Sequence, residues 1–216
     1  MNDTYRHRGL RKKLVQSIER KGITDQQVLN AMAGVPRHLF LDSSFLEFAY
    51  EDKPFPIGSG QTISQPYTVA FQTQLLSIKP GDKILEIGTG SGYQASILAE
   101  MGAKVYTVER QKKLYQKTKK FLPELGYRSV KCFYGDGSDG LPAFAPYDKI
   151  LITAATSEIP KLLTDQLKTN GMLVAPLGNS DVQTMIRLTK QENGELKKEN
   201  FGSFRFVPLL KHKAND

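Results

Sequence analysis

The chain has 216 residues, of which 39% are hydrophobic and 24% charged, an ordinary composition for one sizeable α/β domain. The only cysteine, Cys132, excludes an internal disulfide, and no apolar run approaches the ~20 residues of a membrane-spanning helix. We therefore expect a cytoplasmic protein. The formal charge of +8 is spread along the chain, which favours a solvated surface over a nucleic-acid interface.

The first 35 residues predict two short helices that form an appendage to the core. Residues 9–21 carry apolar side chains at helical spacing, and Gly22 ends this pattern. Thr24, followed by Gln27 three positions later, resembles a capping box that begins the second helix.

Residues 36–68 contain repeated prolines and glycines, which predicts irregular structure. A long loop of this kind inside a compact protein is usually functional. Helical spacing returns over residues 67–77, directly ahead of the clearest strand pattern.

From residue 80 onwards strand and helix patterns alternate, which predicts right-handed crossovers and a mostly parallel sheet. The predicted strands cover residues 83–87, 104–109, 129–134, 147–153, 172–177, 183–189 and 201–209. The predicted helices between them cover residues 93–101, 111–122 and 160–167. Asn170-Gly171 predicts a turn before the fifth strand, and Asn193-Gly194 a hairpin between the last two.

A glycine loop lies between the first of these strands and the helix that follows it. Gly88, Gly90 and Gly92 form Gly-x-Gly-x-Gly, and Tyr93 stands where the dinucleotide-binding fingerprint requires a further glycine. Glycines let the backbone approach a ligand closely and accept positive φ. The triplet alone is weak evidence, because glycine-rich turns also occur for purely structural reasons.

Acidic residues stand at or near the ends of three consecutive strands, at the sheet edge where open α/β sheets bind ligands. Glu86 lies in an apolar strand, where its carboxylate needs a partner such as a ligand ammonium or the loop amides. Glu109, 21 residues beyond Gly88, matches the acid that hydrogen-bonds ribose hydroxyls. Asp136, before Gly137, is placed to accept from an adenine amino group. Together these residues predict an S-adenosylmethionine-dependent methyltransferase with S-adenosylhomocysteine as its product.

The residues after the fourth predicted strand indicate what the methyl acceptor is not. Amine-methylating nucleic-acid enzymes commonly carry Asn or Asp, Pro, Pro and an aromatic residue there, whereas Thr153-Ala-Ala-Thr156 is small and uncharged. Cys132 is predicted to lie in the core, and His7, His38 and His212 fit no metal-ligand spacing, so no metal is expected. A nucleic-acid or small-molecule methyltransferase stays open as the alternative, favoured by the positive charge.

Several motifs, in family order from about residue 8 to 210, resemble the protein-L-isoaspartate O-methyltransferase family of class I S-adenosylmethionine-dependent methyltransferases. They are Val35-Pro-Arg-His-Leu-Phe40, Gly60-Gln-Thr-Ile-Ser-Gln-Pro66, Leu85-Glu-Ile-Gly-Thr-Gly-Ser-Gly-Tyr93, Gly135-Asp-Gly137 and Arg205-Phe-Val-Pro-Leu209. The Thr-Ile-Ser-Gln-Pro element is the most specific, because general methyltransferases lack it. With the order of elements, the resemblance implies an α/β Rossmann-like fold. Its mostly parallel sheet has about seven strands, with helices on both faces, a C-terminal antiparallel hairpin and an N-terminal helical extension.

The resemblance implies repair of damaged proteins by methyl transfer to the free α-carboxyl of L-isoaspartyl residues. The ester then cyclises to a succinimide that partly reopens to aspartate. The catalytic role falls on Ser64, as an orienter of the carboxylate, because an acid with a pKa near ~4 needs no general base. A hydroxyl that caps the helix after Pro66 is the alternative for Ser64. The predicted cofactor-binding residues are Thr62, Glu86, Gly88, Gly90, Gly92, Glu109, Asp136 and Gly137, and the predicted substrate-binding residues are Ile63, Ala154, Ala155, Phe206 and Val207.

The predicted partners are isoaspartyl proteins and peptides, with neither nucleic acid nor membrane, and a monomer is expected. We expect one domain over residues 1–216. Its predicted parts are N-terminal helices with a substrate or lid loop (1–78), a cofactor-binding core (79–180) and C-terminal strands (181–216).

Overall fold

The computed structural model of the chain describes residues 2–179 and 181–214. The α-helices in these residues are α1 (Tyr5–Arg20), α2 (Gln26–Gly34), α3 (Pro66–Leu75), α4 (Tyr93–Glu100), α5 (Lys112–Glu124) and α6 (Lys161–Asp165). The strands are β1 (Phe55–Gly58), β2 (Gln61–Ile63), β3 (Lys83–Ile87), β4 (Lys104–Glu109), β5 (Lys131–Tyr134), β6 (Tyr147–Ile152), β7 (Leu167–Leu177), β8 (Gln183–Lys190) and β9 (Leu196–Phe204). In this described part, no helix combines the length and the apolar composition that a bilayer crossing requires.

Seven strands form one sheet in the order β5-β4-β3-β6-β7-β8-β9, and β1 pairs with β2 in a separate hairpin. Strands β3 to β7 run parallel, and the chain crosses between them through α4, α5, two 3-10 turns (Gly137–Asp139 and Pro142–Phe144) and α6. β8 and β9 run antiparallel to their neighbours and are joined by a turn at Gly194. The predicted mostly parallel sheet with a C-terminal antiparallel hairpin is therefore confirmed.

The central strands are apolar on both sides because helices cover both faces of the sheet. Ile84 and Leu85, successive residues of β3, are fully buried in two different hydrophobic clusters. Helices α1 to α5 contribute to the first cluster, which includes Ile18 from α1, and α6 contributes Leu163 to the second. Each such side chain contributes roughly 1.5–3 kcal/mol on burial. The N-terminal helices thus share a core with the sheet.

The predicted capping box at Thr24 is wrong, because the N-cap of α2 is Asp25. Its carboxylate accepts from the backbone amides of Gln27 at 2.9 Å and Val28 at 3.3 Å. An acid at this position also interacts favourably with the positive end of the helix dipole. The Thr24 amide donates instead to the side-chain oxygen of Gln74 in α3, at 2.7 Å.

Residues 36–68 are more regular than predicted. Two short 3-10 helices, Arg37–Phe40 and Ser43–Phe48, precede the β1–β2 hairpin. Pro56 is tolerated within β1 because this strand has a partner on one side only. The hairpin leads into α3, whose first residue is Pro66, the helix position that proline favours.

The last predicted strand is misplaced, since β9 ends at Phe204 and residues 205–209 lie beyond it. Phe204 pairs with Gln183, the first residue of β8, so the antiparallel ladder has no partner left after this point. The next segment instead bonds to Ala155: the Ala155 amide donates to Val207 at 2.8 Å, and the Leu209 amide to Ala155 at 2.6 Å.

Other boundaries differ from the predicted ones. β7 begins at Leu167 and contains Asn170-Gly171, which was predicted as a turn, with Asn170 at a positive φ of 62°. β5 begins only at Lys131, and α6 ends at Asp165. The β6–β7 register shifts between Tyr147 and Lys149, so β7 continues across the irregularity.

Candidate active site

A cavity lies at the carboxyl ends of β3, β4 and β6 and is bounded by residues from distant parts of the chain. Its walls come from the glycine loop (88–91), the segment 61–64 at the end of the hairpin, and the C-terminal segment 207–210. Glu109, Gly137, Thr153 and Ala154 also line it. We call this space the first cavity. It lies where open parallel sheets place their ligands.

The shape of the glycine loop requires glycine at two positions. Gly88 has φ 98°, and a Cβ there would lie 2.5 Å from Thr153 Oγ1. Gly92, the N-cap of α4, has φ 85°, and a Cβ there would lie 2.8 Å from Thr118 Cγ2. Gly88, together with Gly90, lines the first cavity with backbone alone, whereas Gly92 lies outside the lining and its lack of a side chain allows close packing against α5.

Glu109 holds the glycine loop against the end of β4. Its carboxylate accepts from the Gly90 amide and from the Gln111 amide, each at 2.8 Å. Burial raises the pKa of Glu109, although these amide hydrogen bonds oppose the shift. Each carboxylate oxygen can accept two hydrogen bonds, so Glu109 keeps acceptor capacity for ligand hydroxyls in the first cavity.

Glu86 is fully buried beneath the first cavity and does not line it. Thr107 donates its hydroxyl to Glu86 Oε2 at 2.5 Å, and Oε1 has no partner in the described residues. Burial raises the pKa of Glu86 to about 8. Loop amides, one of its two predicted partners, form no hydrogen bond with it, since the Gly90 amide bonds to Glu109. A ligand ammonium in the first cavity, the other predicted partner, does not reach this side chain either, because Glu86 is not part of the cavity lining.

Asp136 contacts the C-terminal segment instead of lining the first cavity. Its carboxylate accepts from the backbone amides of Ser138 at 2.8 Å and His212 at 2.5 Å. Partial burial works to raise the pKa of Asp136, but the amide hydrogen bonds outweigh it and lower the pKa. Its neighbour Gly137 does line the cavity, and a Cβ there would overlap Ile87 Cγ2.

A second cavity adjoins the first, and the two share Thr62, Ser64, Thr153 and Val207. Ser64 therefore stands at their junction. Its hydroxyl forms no hydrogen bond within residues 2–179 and 181–214, and the N-cap of α3 is Gln65, which makes no side-chain cap. The alternative in which Ser64 caps this helix is thus excluded by the geometry.

The predicted substrate residues divide between the two cavities. Ile63 and Ala154 line the first cavity, Phe206 lines the second, and Val207 lines both. Ala155 lines neither, and contributes through the backbone hydrogen bonds that hold residues 207–209 in place.

Thr153 was not among the predicted site residues. In the sequence, it showed only that the motif of amine-methylating enzymes is lacking after the fourth predicted strand. It lines both cavities, and its hydroxyl lies 2.9 Å from the carbonyl oxygens of both Ile87 and Gly88. The hydroxyl thereby ties the end of β6 to the start of the glycine loop. A hydroxyl residue at a strand end beside this loop is the signal that would have indicated it.

His7 and His38, which are distant in sequence, are neighbours in space. Their rings stack with centroids 3.8 Å apart, and Asp3 brings a carboxylate oxygen within 4.8 Å of a nitrogen on each ring. Asp3 is already paired with Arg11 at 2.9 Å, and His38 Nδ1 lies 2.7 Å from the Tyr50 hydroxyl. In-plane lone pairs of stacked rings run side by side and do not converge, so we assign this cluster to packing of the N-terminal helices.

Comparison with known proteins agrees with this geometry. The family described as protein-L-isoaspartate(D-aspartate) O-methyltransferase matches residues 9–214. A protein-L-isoaspartate O-methyltransferase of Christiangramia forsetii is 57% identical over 213 residues, covering 99% of this chain and 100% of the relative.

Two solved structures are also similar. A protein-L-isoaspartate O-methyltransferase superposes with a TM-score of 0.85 at 29% identity, covering 95% of this chain and 67% of that one. A Plasmodium falciparum structure, described as a protein-L-isoaspartate O-methyltransferase in complex with S-adenosyl-L-homocysteine, has a TM-score of 0.81 at 27% identity. It covers 94% of this chain and 99% of its own. The predicted class I methyltransferase fold is confirmed, and the chain belongs to the protein-L-isoaspartate(D-aspartate) O-methyltransferase family.

Proposed function

We propose that the chain methylates the free α-carboxyl of L-isoaspartyl residues in damaged proteins and peptides, with S-adenosylmethionine as the donor. The observation that carries this proposal is the pair of joined cavities with Ser64 at their junction. One cavity is bounded by the glycine loop, as a donor site requires. The other is bounded by Thr62 and Ser64, from the family's most specific motif, and by Phe206 and Val207, from another of its motifs.

The first cavity fits the proposed donor. The side-chain-free backbone at Gly88 and Gly90, which both line it, admits a ligand at close range. Glu109, which lines the cavity, offers acceptor lone pairs for ribose hydroxyls. Thr62, Gly88, Gly90, Glu109 and Gly137, which line the first cavity, are proposed to contact the donor. Glu86, Gly92 and Asp136, which were predicted with them, do not line it and are proposed to support the strand ends and the loop around it.

The second cavity suits an anionic acceptor. Arg205 is the only charged residue among those that line it in the described part of the chain, and no carboxylate lines it there. The aromatic residues Tyr67, Phe204 and Phe206 supply apolar contact for neighbouring parts of a peptide. An amine acceptor would instead call for acidic or carbonyl groups at this position.

When bound, S-adenosylmethionine supplies an electrophilic methyl group on a positively charged sulfur. The acceptor carboxylate is already ionised at neutral pH, so the chain needs no general base. We assign Ser64 the task of orienting this carboxylate through its free hydroxyl, and Ile63 and Ala154 the task of excluding water. Positioning of this kind can supply roughly 7–11 kcal/mol of a barrier.

We also propose that the chain works as a single-domain monomer in the cytoplasm, without nucleic-acid or membrane partners. The hydrophobic cluster that α1 to α5 share with the sheet supports one domain. The spread of the basic residues along the chain supports the absence of a nucleic-acid partner.

A labelling experiment tests the acceptor class. The protein is incubated with methyl-labelled S-adenosylmethionine and either an isoaspartyl peptide or total RNA. We expect label in the peptide that is released by mild base, because a methyl ester is base-labile. Base-stable label in RNA, with none in the peptide, would overturn the proposal.

A further inference from the structure

The carboxylate of Asp52 accepts hydrogen bonds from three donors in separate parts of the chain. The Tyr67 amide donates to Oδ1 at 2.8 Å, Gln65 Nε2 donates to Oδ2 at 3.1 Å, and Lys21 Nζ lies 2.5 Å from Oδ2. The Asp52 side chain is only 12% exposed, whereas that of Lys21 is 47% exposed. The Asp52 carboxylate is therefore mostly buried and held by three hydrogen bonds, unlike an exposed surface ion pair.

Two of these donors belong to the start of α3. Tyr67 is the second residue of that helix, and its amide is one of those that a helix leaves without an internal partner. The N-cap residue, Gln65, makes no side-chain cap of its own. Asp52 thus caps α3 from a position outside the helix, and holds Gln65 at the same time.

These contacts place constraints on both sides of Ser64. Ile63, immediately before it, is buried and paired with Phe55 in the hairpin. Gln65, immediately after it, is held by Asp52. A turn tied at both ends has little freedom, and Ser64 is the residue that stands at the junction of the two cavities.

The third donor connects this turn to the N-terminal helices. Lys21 is the C-cap of α1, and its ammonium lies 5.9 Å from the centroid of the Tyr67 ring as well as against Asp52. The link runs from the end of α1 through Asp52 to the turn.

We propose that Asp52 is a positioning residue for methyl transfer: its carboxylate fixes residues 64–66 so that Ser64 faces the acceptor, and Lys21 couples α1 to this arrangement. The catalytic part of this inference rests on the proposed function. The structural part, an ordered turn that depends on Asp52, does not.

Three variants and one matched control test the proposal. Asp52→Ala removes both acceptor oxygens. Asp52→Asn keeps an acceptor for the Tyr67 amide but loses the oxygen that Gln65 and Lys21 share. Lys21→Met removes only the ion pair. Glu51→Gln is the control, because Glu51 is an exposed neighbour whose carboxylate pairs with Lys53 and not with Asp52's donors.

We expect Asp52→Ala to lower kcat on an isoaspartyl peptide about tenfold, since misplacing a positioning group costs rate more than affinity. Asp52→Asn should recover part of this loss, Lys21→Met should lose less than threefold, and Glu51→Gln should match wild type. The dissociation constant of S-adenosylhomocysteine, measured by calorimetry, should stay within about twofold in all of them.

Amide hydrogen exchange separates failure of this inference from failure of the proposed function. The backbone amides of Ser64, Gln65 and Tyr67 should exchange faster in Asp52→Ala than in wild type or Glu51→Gln, whatever the acceptor is. Unchanged exchange there would overturn the inference. So would an unchanged kcat in an isoaspartyl-active enzyme, or a loss of cofactor affinity as large as the loss of kcat, which would indicate a general structural defect.

Discussion

Thr107 donates its hydroxyl to Glu86 Oε2 at 2.5 Å, and this is the only hydrogen bond that the Glu86 carboxylate makes within the described residues. The side chain is fully buried, and its pKa is raised from 4.5 to about 8. Because the folded pKa is the higher one, the native state binds more protons than the unfolded state between these values. The contribution of Glu86 to the free energy of unfolding is therefore fully present below pH 4.5 and is lost as the pH rises to about 8.

We expect Glu86→Gln to remove this pH dependence, because glutamine has a similar shape and does not ionise. In the cofactor-free protein, the melting temperature should fall less between pH 5.5 and 8.5 in the variant than in wild type or in the exposed control Glu192→Gln. The variant should bind S-adenosylhomocysteine within about twofold of wild type, because Glu86 does not line the first cavity. An equal pH dependence in all three proteins would contradict the assignment.

Gly88→Ala should abolish cofactor binding by blocking the loop. The added Cβ would lie 2.5 Å from Thr153 Oγ1, the hydroxyl that ties β6 to the glycine loop. Gly22→Ala is the matched control, because Gly22 has a similar φ of 101° with no atom within 4 Å of the added Cβ.

Both glycine variants carry backbone strain, of about 1–3 kcal/mol, which urea unfolding measures. Only Gly88→Ala should lose affinity for S-adenosylhomocysteine in calorimetry as well. If the two variants bound it equally well, the close approach of Gly88 to Thr153 would have no role in the site.

Stability should decrease in acid because of His38. Burial, followed by the charge of the neighbouring His7, lowers the pKa of His38 from 6.5 to about 4. The unfolded state therefore binds more protons in this range, and stability present above pH 6.5 is lost as the pH falls towards 4.

Urea unfolding at pH 7.5 and 5.0 measures this loss. The decrease in the free energy of unfolding should be smaller in His38→Gln than in wild type, and unchanged in His212→Gln, which alters an exposed residue. A decrease in His38→Gln as large as that in wild type would assign the acid sensitivity to other groups.

Ser64→Ala should lower the rate of methyl transfer by about tenfold or more while leaving the dissociation constant of S-adenosylhomocysteine unchanged. The reason is that the hydroxyl has no structural hydrogen bond in the described residues to lose, so its removal affects only what enters the cavities. Ser59→Ala, at the tip of the same hairpin, is the control and should match wild type. An unchanged rate would remove Ser64 from the mechanism.

Local features of the site are predictable from sequence, and contacts between distant segments are not. The glycine loop and the acid of Glu109 follow from strand, loop and helix spacing, and the structure places both at one cavity. Asp52 gives no comparable signal in the sequence. Its proposed positioning role depends on contacts with Lys21, 31 residues before it, and Gln65, 13 residues after it, which only the fold brings together.

The sequence also leaves the choice between neighbouring residues of similar chemistry open. Thr24 and Asp25 are both good N-caps, and only the chain geometry before α2 selects Asp25. Glu86 and Glu109 are both acids near the glycine loop, and the positions of their strands decide that Glu109 takes the loop amide. Such choices depend on distances of a few ångströms that residue spacing does not resolve.

The central claim is that the acceptor is an isoaspartyl carboxyl, and a pair of isomeric peptides tests it most directly. The two peptides have the same sequence and differ only in whether one residue is linked as L-isoaspartate or as L-aspartate. Initial rates of methyl-ester formation with labelled S-adenosylmethionine should be readily measurable for the isoaspartyl peptide and at background for the aspartyl peptide. Equal rates on both peptides, or none on either by a protein that binds S-adenosylhomocysteine, would contradict it.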